Sequence, residues 1–330
     1  MPKVLHIGPC DTPGGMANVM RILAEHPPEG WVAELLPSHC KGSPWAKWRA
    51  YRRARNVFSQ MLRDEKRRPD MIHIHTAADW SWWRKRRFAQ IAHKARIPNI
   101  VHIHSGQFDS WLGSSSKRAQ KFNNDIQQYN SQVVVLSESW KKQLSQYFGD
   151  AVAIHNPMKP ELEFGQAITR EPNKVLFLAR DDAVKGGLFA QRLIESLRQK
   201  FPDLVLAMSG ISQSRNSWVL PLGWMTEAEK MHQLETATVL IVPSKFEGQP
   251  MVALEAIASG TPVLLSDTIH SLPAEIPKAK FEDIEDWQDK LGQILTSPQP
   301  MYPQSILEAY TLSNIQESWK ELYESLFVQG

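Results

Sequence analysis

The 330-residue sequence predicts an α/β protein built from two doubly wound, parallel-sheet domains. Three observations carry that expectation. Hydrophobic runs of strand length recur along the chain, each followed by a turn and a helical stretch, which is the alternation a parallel sheet requires. The alternation lapses at residues 158–173, where Pro and Glu replace periodicity, and then restarts. The length also suffices for two domains of ordinary size, each with its own core.

Composition narrows the class further. Apolar content of 42% with 22% charged residues describes a soluble globular protein. Two cysteines, Cys10 and Cys40, exclude a disulfide scaffold and suit a reducing cytosol. No window reaches the length of a membrane span, and the N-terminus reads as a strand rather than a signal peptide, so a cytoplasmic location is expected. Charge is unevenly spread: residues 1–160 hold 24 Lys/Arg against 12 Asp/Glu, the remainder 14 against 23. The first half therefore favours an anionic partner or surface. It carries no recognisable nucleic-acid-binding motif, and no nucleic acid is expected.

In chain order, Lys3 to Ile7 reads as a buried strand. It runs through Gly8-Pro-Cys-Asp-Thr-Pro-Gly14-Gly15 into a helical pattern from Met16 to Glu25. A glycine turn at a helix N-terminus lets backbone approach a phosphate or sugar closely. The dinucleotide fingerprint is absent. Trp45 to Arg68 places Trp48, Tyr51, Phe58, Met61 and Leu62 at helical spacing, with Arg49, Arg52, Arg53 and Arg55 between them. A second aromatic and basic cluster runs from Trp80 through Trp82 and Trp83 to Arg86 and Arg87. Aromatics among Lys and Arg suit peripheral attachment to an anionic leaflet through Trp45, Trp48, Arg52, Arg53, Trp82, Trp83, Arg86 and Arg87. The alternative puts the tryptophans in the core, Trp48 first.

Two strands then carry paired histidines, His73 with His75 and His102 with His104. Residues i and i+2 share a face, so each pair offers two imidazoles to one metal. No cysteine or carboxylate cluster completes a ligand set, and no metal is expected. Val133 to Leu136 and Ala151 to Ile154 close the first domain, 1–157, and residues 158–173 form the linker.

The second domain, 174–312, opens with the strand Lys174 to Arg180. Arg180 and Lys185 leave its end beside a helix N-terminus, three positive features able to face one diphosphate. Leu204 to Gly210 is a further strand and turn, followed by Gly223-Trp224-Met225 and a helix from Thr226. The stretch Ile241 to Asp267 then reads strand, loop, helix and strand, with Pro250 at the helix start and Gly260 at its end. Met251 to Ala258 is apolar on nearly every side, so Glu255 needs either a protein partner or a ligand's hydroxyls. Glu247 precedes it by eight positions in the loop, and the amides of Gly248, Gln249, Met251 and Val252 suit an anionic group.

Glu247-Gly-Gln-Pro-Met-Val-Ala-Leu-Glu255 with its flanking Ser-Gly-Thr-Pro262 resembles the E-x₇-E signature of the family 4 retaining, nucleotide-sugar-dependent glycosyltransferases, the group 1 glycosyl transferases. The resemblance covers most of the chain, with its specific motifs in residues 174–267. It implies the glycosyltransferase-B architecture of two Rossmann-like domains facing a cleft, with the first on the acceptor side, the second binding the donor, and the last helix, residues 313–330, packed back on the first domain. It assigns Glu247 to the donor sugar and Glu255 to the donor ribose. Arg180 and Lys185 resemble the family's Gly-Arg-x₄-Lys-Gly diphosphate motif, with Ala179 in place of the usual glycine and Val184 in place of a common Glu. Gly15 matches the double-glycine loop near acceptor and donor phosphates, His104 a histidine close to the transferred sugar, and Met225 the turn that packs the nucleobase. Asp70-Met-Ile-His73-Ile-His75 resembles a structural strand of the family.

The function so implied is a metal-independent, retaining hexosyltransferase without cofactor. It would move sugar from a nucleotide diphosphate donor, UDP-sugar foremost, to a glycan or lipid-linked glycan in bacterial surface polysaccharide or lipopolysaccharide assembly. It would work on the inner face of the cytoplasmic membrane. The alternative is a binding protein of the same fold with little turnover.

Overall fold

The computed structural model describes residues 1–12, 14–160, 162, 169–297, 302–303 and 305–328. The chain forms two compact units, Met1–Lys159 with Ala309–Gly330, and Pro160–Glu308. Of the linker expected at 158–173, residues 161 and 163–168 lie outside those described, as do the last two residues of the expected final helix.

The first unit is a parallel sheet of β1 (Lys3–Gly8), β2 (Val32–Pro37), β3 (Met71–Thr76), β4 (Asn99–Ile103), β5 (Ser131–Val135) and β6 (Ala151–Ala153), in the order β2-β1-β3-β4-β5-β6. Its connections carry α1 (Gly15–Glu25), α2 (Pro44–Met61), α3 (Trp80–Lys94), α4 (Phe108–Gly113), α5 (Ser116–Gln128) and α6 (Glu138–Leu144). Inner strands β3 and β4 are buried throughout, as a sheet covered on both faces demands. β2 is an edge strand of mixed burial, and its Val-Ala-Glu-Leu-Leu run is a weaker strand signal than those of the inner strands.

The second unit repeats the plan with β7 (Lys174–Phe177), β8 (Val205–Ser209), β9 (Val219–Gly223), β10 (Val239–Val242), β11 (Val263–Ser266) and β12 (Lys278–Ala279), ordered β12-β11-β10-β7-β8-β9. Its helices are α7 (Gly187–Leu197), α8 (Glu227–Thr236), α9 (Met251–Ala258), α10 (Ile284–Thr296) and α11 (Ser305–Glu308). Phe189, Leu193 and Leu197 line one face of α7 and pack on Val175, Leu206 and Ile241 of the sheet, with Trp287 of α10 in the same core. A capping box of Thr226 and Glu229 starts α8. α9 stops as its glycine predicts: Gly260 takes φ 72°, its amide reaches Ile257, and Thr261 reaches back to Ala256 in a Schellman pattern. The expectation of two doubly wound parallel α/β domains therefore holds.

The last helix, α12 (Leu312–Val328), belongs to the first unit. Ile315, Trp319, Leu322 and Tyr323 fall on one helical face and pack with Val4, Met71, Ile100 and Val134 of the sheet. The second unit ends at Glu308, not 312. The Tyr310 carbonyl accepts the Met158 amide at 2.8 Å and its ring lies 4.6 Å from His155, which fixes that segment to the first unit.

The same sheet face carries five histidines, because register sets His6 beside His73 and His75 beside His102. His6 Nδ1 meets His75 Nε2 at 2.9 Å, and His75 Nδ1 meets His104 Nε2 at 2.9 Å. A second series runs from Tyr323 Oη to His73 Nδ1 at 2.8 Å, and from His73 Nε2 to His102 Nδ1 at 3.1 Å. Burial above all pushes His6 and His104 down to about 3, and His73, His75 and His102 well below the ordinary range. The folded chain thus keeps these rings neutral, while an unfolded chain protonates them near pH 6.5. The unfolded state binds more protons below that pH, so stability is whole above about 6.5 and drains away toward about 3. The melting temperature should fall steadily from pH 7 to pH 4; a flat profile over that range would contradict neutral packing of the array.

Candidate functional site

Strand ends β7, β8 and β10 set the positions of the charged residues in the second unit. After β7, Ala179 is pinned by Ser209, whose hydroxyl accepts its amide at 2.9 Å and donates to its carbonyl at 2.9 Å. Gly210, at φ 81°, lets this loop lie on top of it: a Cβ there would sit 2.7 Å from the Ala179 carbonyl oxygen and 2.8 Å from the Asp181 amide. Arg180 is thereby held at the surface, exposed and without an ion pair among the described residues. Asp182 caps the short turn Ala183–Lys185 through the Val184 amide.

Gly186 follows at φ 79°, so close to the β10 loop that a Cβ would lie 2.5 Å from the Pro243 carbonyl oxygen. The Lys245 amide donates to Val184 at 2.8 Å, joining the same two loops. This apposition brings Lys185 Nζ to Glu247 Oε1 at 2.7 Å, where the Ser244 hydroxyl also donates at 2.8 Å. Two of the residues singled out in the sequence thus meet directly. Beyond them, Gly248 and Gln249 are buried, Met251 and Val252 form the half-buried first turn of α9, and no side chain caps that helix. Its positive end therefore remains a place for an anion.

Glu255 is buried in α9 and has a protein partner that the sequence reading passed over. Lys230 of α8 reaches its Oε2 at 2.7 Å and Glu227 at 2.7 Å. Burial lowers the Lys230 pKa, but Glu255 and Glu227 outweigh it and the net shift is upward, so the ammonium stays charged. The signal was faint: one lysine on a polar helix, twenty-five positions from its partner. At the turn expected to take a base, Gly223 has φ 60°, and its amide and carbonyl are used by Ile211 and Gly210. Met225 is half-buried beside the exposed Trp224.

In the first unit, Gly14 takes φ 139° and Gly15 opens α1, again without a side-chain cap. His104 stands just past β4, its amide on the Thr76 carbonyl and its Nε2 held by His75. Two triads, His6 with His73 and His75, and His75 with His102 and His104, bring one ligand atom each within 4.8 Å of the others. Their nitrogens are largely engaged with one another; His102 Nε2 is buried without a hydrogen-bond partner.

The aromatic and basic clusters divide. Trp82 does not reach the surface: the 3.6 period of α3 turns it inward with Lys85, Phe88 and Ala92, where it packs on Phe122 at 4.8 Å. Trp48 is likewise not core. It is 41% exposed, stacked on the 62% exposed Trp45 at 4.6 Å, with the Arg52 guanidinium 4.8 Å from its ring. Arg86 covers Trp83 and pairs with Asp125 at 3.0 Å, while Arg53 and Arg87 are exposed. No helix among the described residues is long and apolar enough to cross a membrane.

Comparison with known proteins matches both units. Residues 158–305 fit the family model described as glycosyl transferases group 1, and residues 4–157 that of a glycosyl transferase 4-like domain. Glycogen synthase of Mycobacterium tuberculosis is 24% identical over 224 residues, covering 62% of this chain and 53% of the relative. The chain thus spans about half the length of the curated relatives it matches. Among solved structures, a sucrose-phosphate synthase from Thermosynechococcus elongatus superposes with TM-score 0.73 at 16% identity over the whole of both chains. Anabaena HepE in complex with UDP and glucose superposes with TM-score 0.73 at 14% identity, over 98% of this chain and 100% of that one. These two likenesses show the fold, the glycosyltransferase-B arrangement of two parallel α/β units.

Proposed function

The chain belongs to the group 1 glycosyl transferases, and from that membership we propose that it transfers a hexosyl group from a nucleotide diphosphate sugar to a hydroxyl acceptor, with retention. The observation that supports this reading most is the Lys185–Glu247 pair beside the uncapped start of α9, with Arg180 exposed on the adjoining loop. The main chemical problem of such a transfer is the charge that develops on the departing diphosphate. Arg180, Lys185 and the amides at α9 supply fixed positive charge where it appears, so the step needs no metal. In the resting chain Glu247 neutralises Lys185. An incoming diphosphate takes over that role and frees Glu247 for the hydroxyls of the donor sugar. By their match to the family's motifs, Glu255, held by Lys230, is assigned to the ribose hydroxyls, Met225 to the base and Gly15 to the phosphates.

His104 is assigned to the transferred sugar by its match to the family's histidine. With its pKa near 3 it is neutral, so it serves as a hydrogen-bonding group rather than a cation. Attack on the same face as the leaving phosphate accounts for retention, and no enzymic nucleophile is assigned. UDP-sugar is the favoured donor, since HepE, a relative in fold, was solved with UDP and glucose. The acceptor is a glycan or lipid-linked glycan of bacterial surface polysaccharide or lipopolysaccharide assembly. The reading as a binding protein with little turnover is disfavoured by the presence of Arg180, Lys185, Glu247 and Glu255 together. Lys185→Ala should lower kcat/KM by about two to three powers of ten, the scale of losing one preorganised charge contact. Donor hydrolysis across UDP-, GDP- and ADP-sugars measures it, and turnover near that of the wild type would remove Lys185 from the mechanism.

Peripheral attachment to the inner face of the cytoplasmic membrane completes the proposal. Its support is the exposed Trp45–Trp48 stack with Arg52 and Arg53, and the 75% exposed Trp80 at the start of α3. Each cation near an anionic leaflet contributes on the order of 1 kcal/mol, weakened by salt. In flotation assays the protein should rise with phosphatidylglycerol vesicles at low salt and stay down with phosphatidylcholine. Equal behaviour with both would make a soluble acceptor the better reading.

A further inference from the structure

At the C-terminal ends of β1 and β2 the first unit gathers cations without a matching acid. Lys85, on the inward face of α3, is 3% exposed, and its ammonium donates to the Ser38 hydroxyl. Ser38 follows β2 directly and is itself fixed to the Gly8 carbonyl, by its amide at 2.8 Å and its hydroxyl at 3.2 Å. No carboxylate among the described residues pairs with Lys85. Burial, and then repulsion from Arg84, lowers its pKa to about 7. Cys10 offers no countercharge, since burial, with Asp11 nearby, raises its thiol to about 11. Two more groups are left unsatisfied: Arg84 Nε and His39 Nδ1 are buried without a hydrogen-bond partner.

A cavity opens beside Ser38, whose chain neighbours Pro37 and His39 both line it. His39, Arg49 and Arg53 line a space of about 670 Å³, with Leu36 and Val57 among its apolar walls. Asp11 is the one acid in that lining, and it is exposed. Burial and then the charges of Arg84, Lys85 and Lys47 lower the His39 pKa to about 4. A buried ammonium without a countercharge is costly unless a ligand supplies one.

We propose that this pocket binds a phosphate group, held by His39, Arg49 and Arg53 of its lining, with the buried charge of Lys85 acting through Ser38 beside them. Resting on the transferase reading above, the phosphate belongs to the acceptor and positions it for glycosylation. Several cations in one place call for more than one negative charge, which a phosphate carries and a lone hydroxyl does not. The Trp45–Trp48 stack lies on the same helix as Arg49 and Arg53, so the phosphate can come from a lipid headgroup or from a soluble phosphorylated sugar or polyol.

The test is calorimetric titration of the whole protein, wild type, Lys85→Met and Lys185→Ala, with inorganic phosphate and glycerol 3-phosphate. Flotation with phosphatidic acid vesicles forms the lipid arm. Lys85→Met should weaken phosphate binding at least tenfold, while Lys185→Ala leaves this site's binding in place. Loss in both soluble and lipid arms, or in one of them, supports the pocket and identifies the source. No binding by the wild type, equal binding by Lys85→Met, or loss only in Lys185→Ala would overturn it. The melting temperature of Lys85→Met in phosphate-free buffer gives a second readout. Because Ser38 keeps its Gly8 partner, removal of the unpaired charge should leave it equal to or above that of the wild type. A clear drop would mark Lys85 as structural and also overturn the proposal. Phosphate binding requires no sugar transfer, so an intact pocket with no donor cleavage would defeat the transferase reading alone.

Discussion

The close approach of two loops in the second unit governs its chemistry. Gly186 can press against the Pro243 carbonyl only because it lacks a Cβ and accepts a left-handed backbone. That contact carries Lys185 to Glu247 and sets both beside the start of α9. Any other residue at 186 would force the β7 and β10 loops apart and separate the pair. Gly210 does the same for the loop of Arg180, resting under Ala179 and Asp181. The charged side chains are exchangeable chemistry; the glycines beneath them are what make that chemistry local. Charge placed in advance at a site costs no reorganisation during reaction, which is what the proposed transfer asks of this backbone.

The first unit answers a different constraint. Five imidazoles are packed on one sheet face, and α12 closes over them with Trp319 and Tyr323. Neutral imidazole donates with one nitrogen and accepts with the other, which suits a chain of rings in a dry layer better than any ion would. His104 sits at the end of that chain, so its orientation is inherited from His75 and His6. A few residues along the chain the pattern differs: Lys85 is a buried cation with no carboxylate partner among the described residues, and Arg84 Nε is buried without a hydrogen-bond partner.

Much of this was legible in the sequence, for physical reasons that differ by element. Strands β7, β10 and β11 are buried on both faces and so read as continuous apolar runs. Gly260 announced the end of α9 because few other residues tolerate that backbone. Glu247 and Lys185 were both found, though their contact depends on two loops meeting, which spacing alone does not encode. Lys230 escaped because a lysine on a polar helix looks like solvent-facing charge until Glu255 is placed beside it. Trp82 and Trp48 exchanged roles with expectation: aromatic density says that a helix has an apolar face but not which turn points inward. β2 was missed because it is an edge strand with a mixed face. Lys85 lay unnoticed within a basic run, since burial of one cation among several is a tertiary fact.

The account's central claim is that the two acids serve different parts of one donor. Its most direct test is calorimetric titration of UDP and of UDP-glucose, separately, into wild type, Glu247→Gln and Glu255→Gln. Glu255→Gln should weaken both ligands alike, through the ribose they share. Glu247→Gln should weaken UDP-glucose at least several-fold more than UDP, because only the former presents a sugar. Equal losses for both ligands in both variants, or no loss in either, would contradict the account.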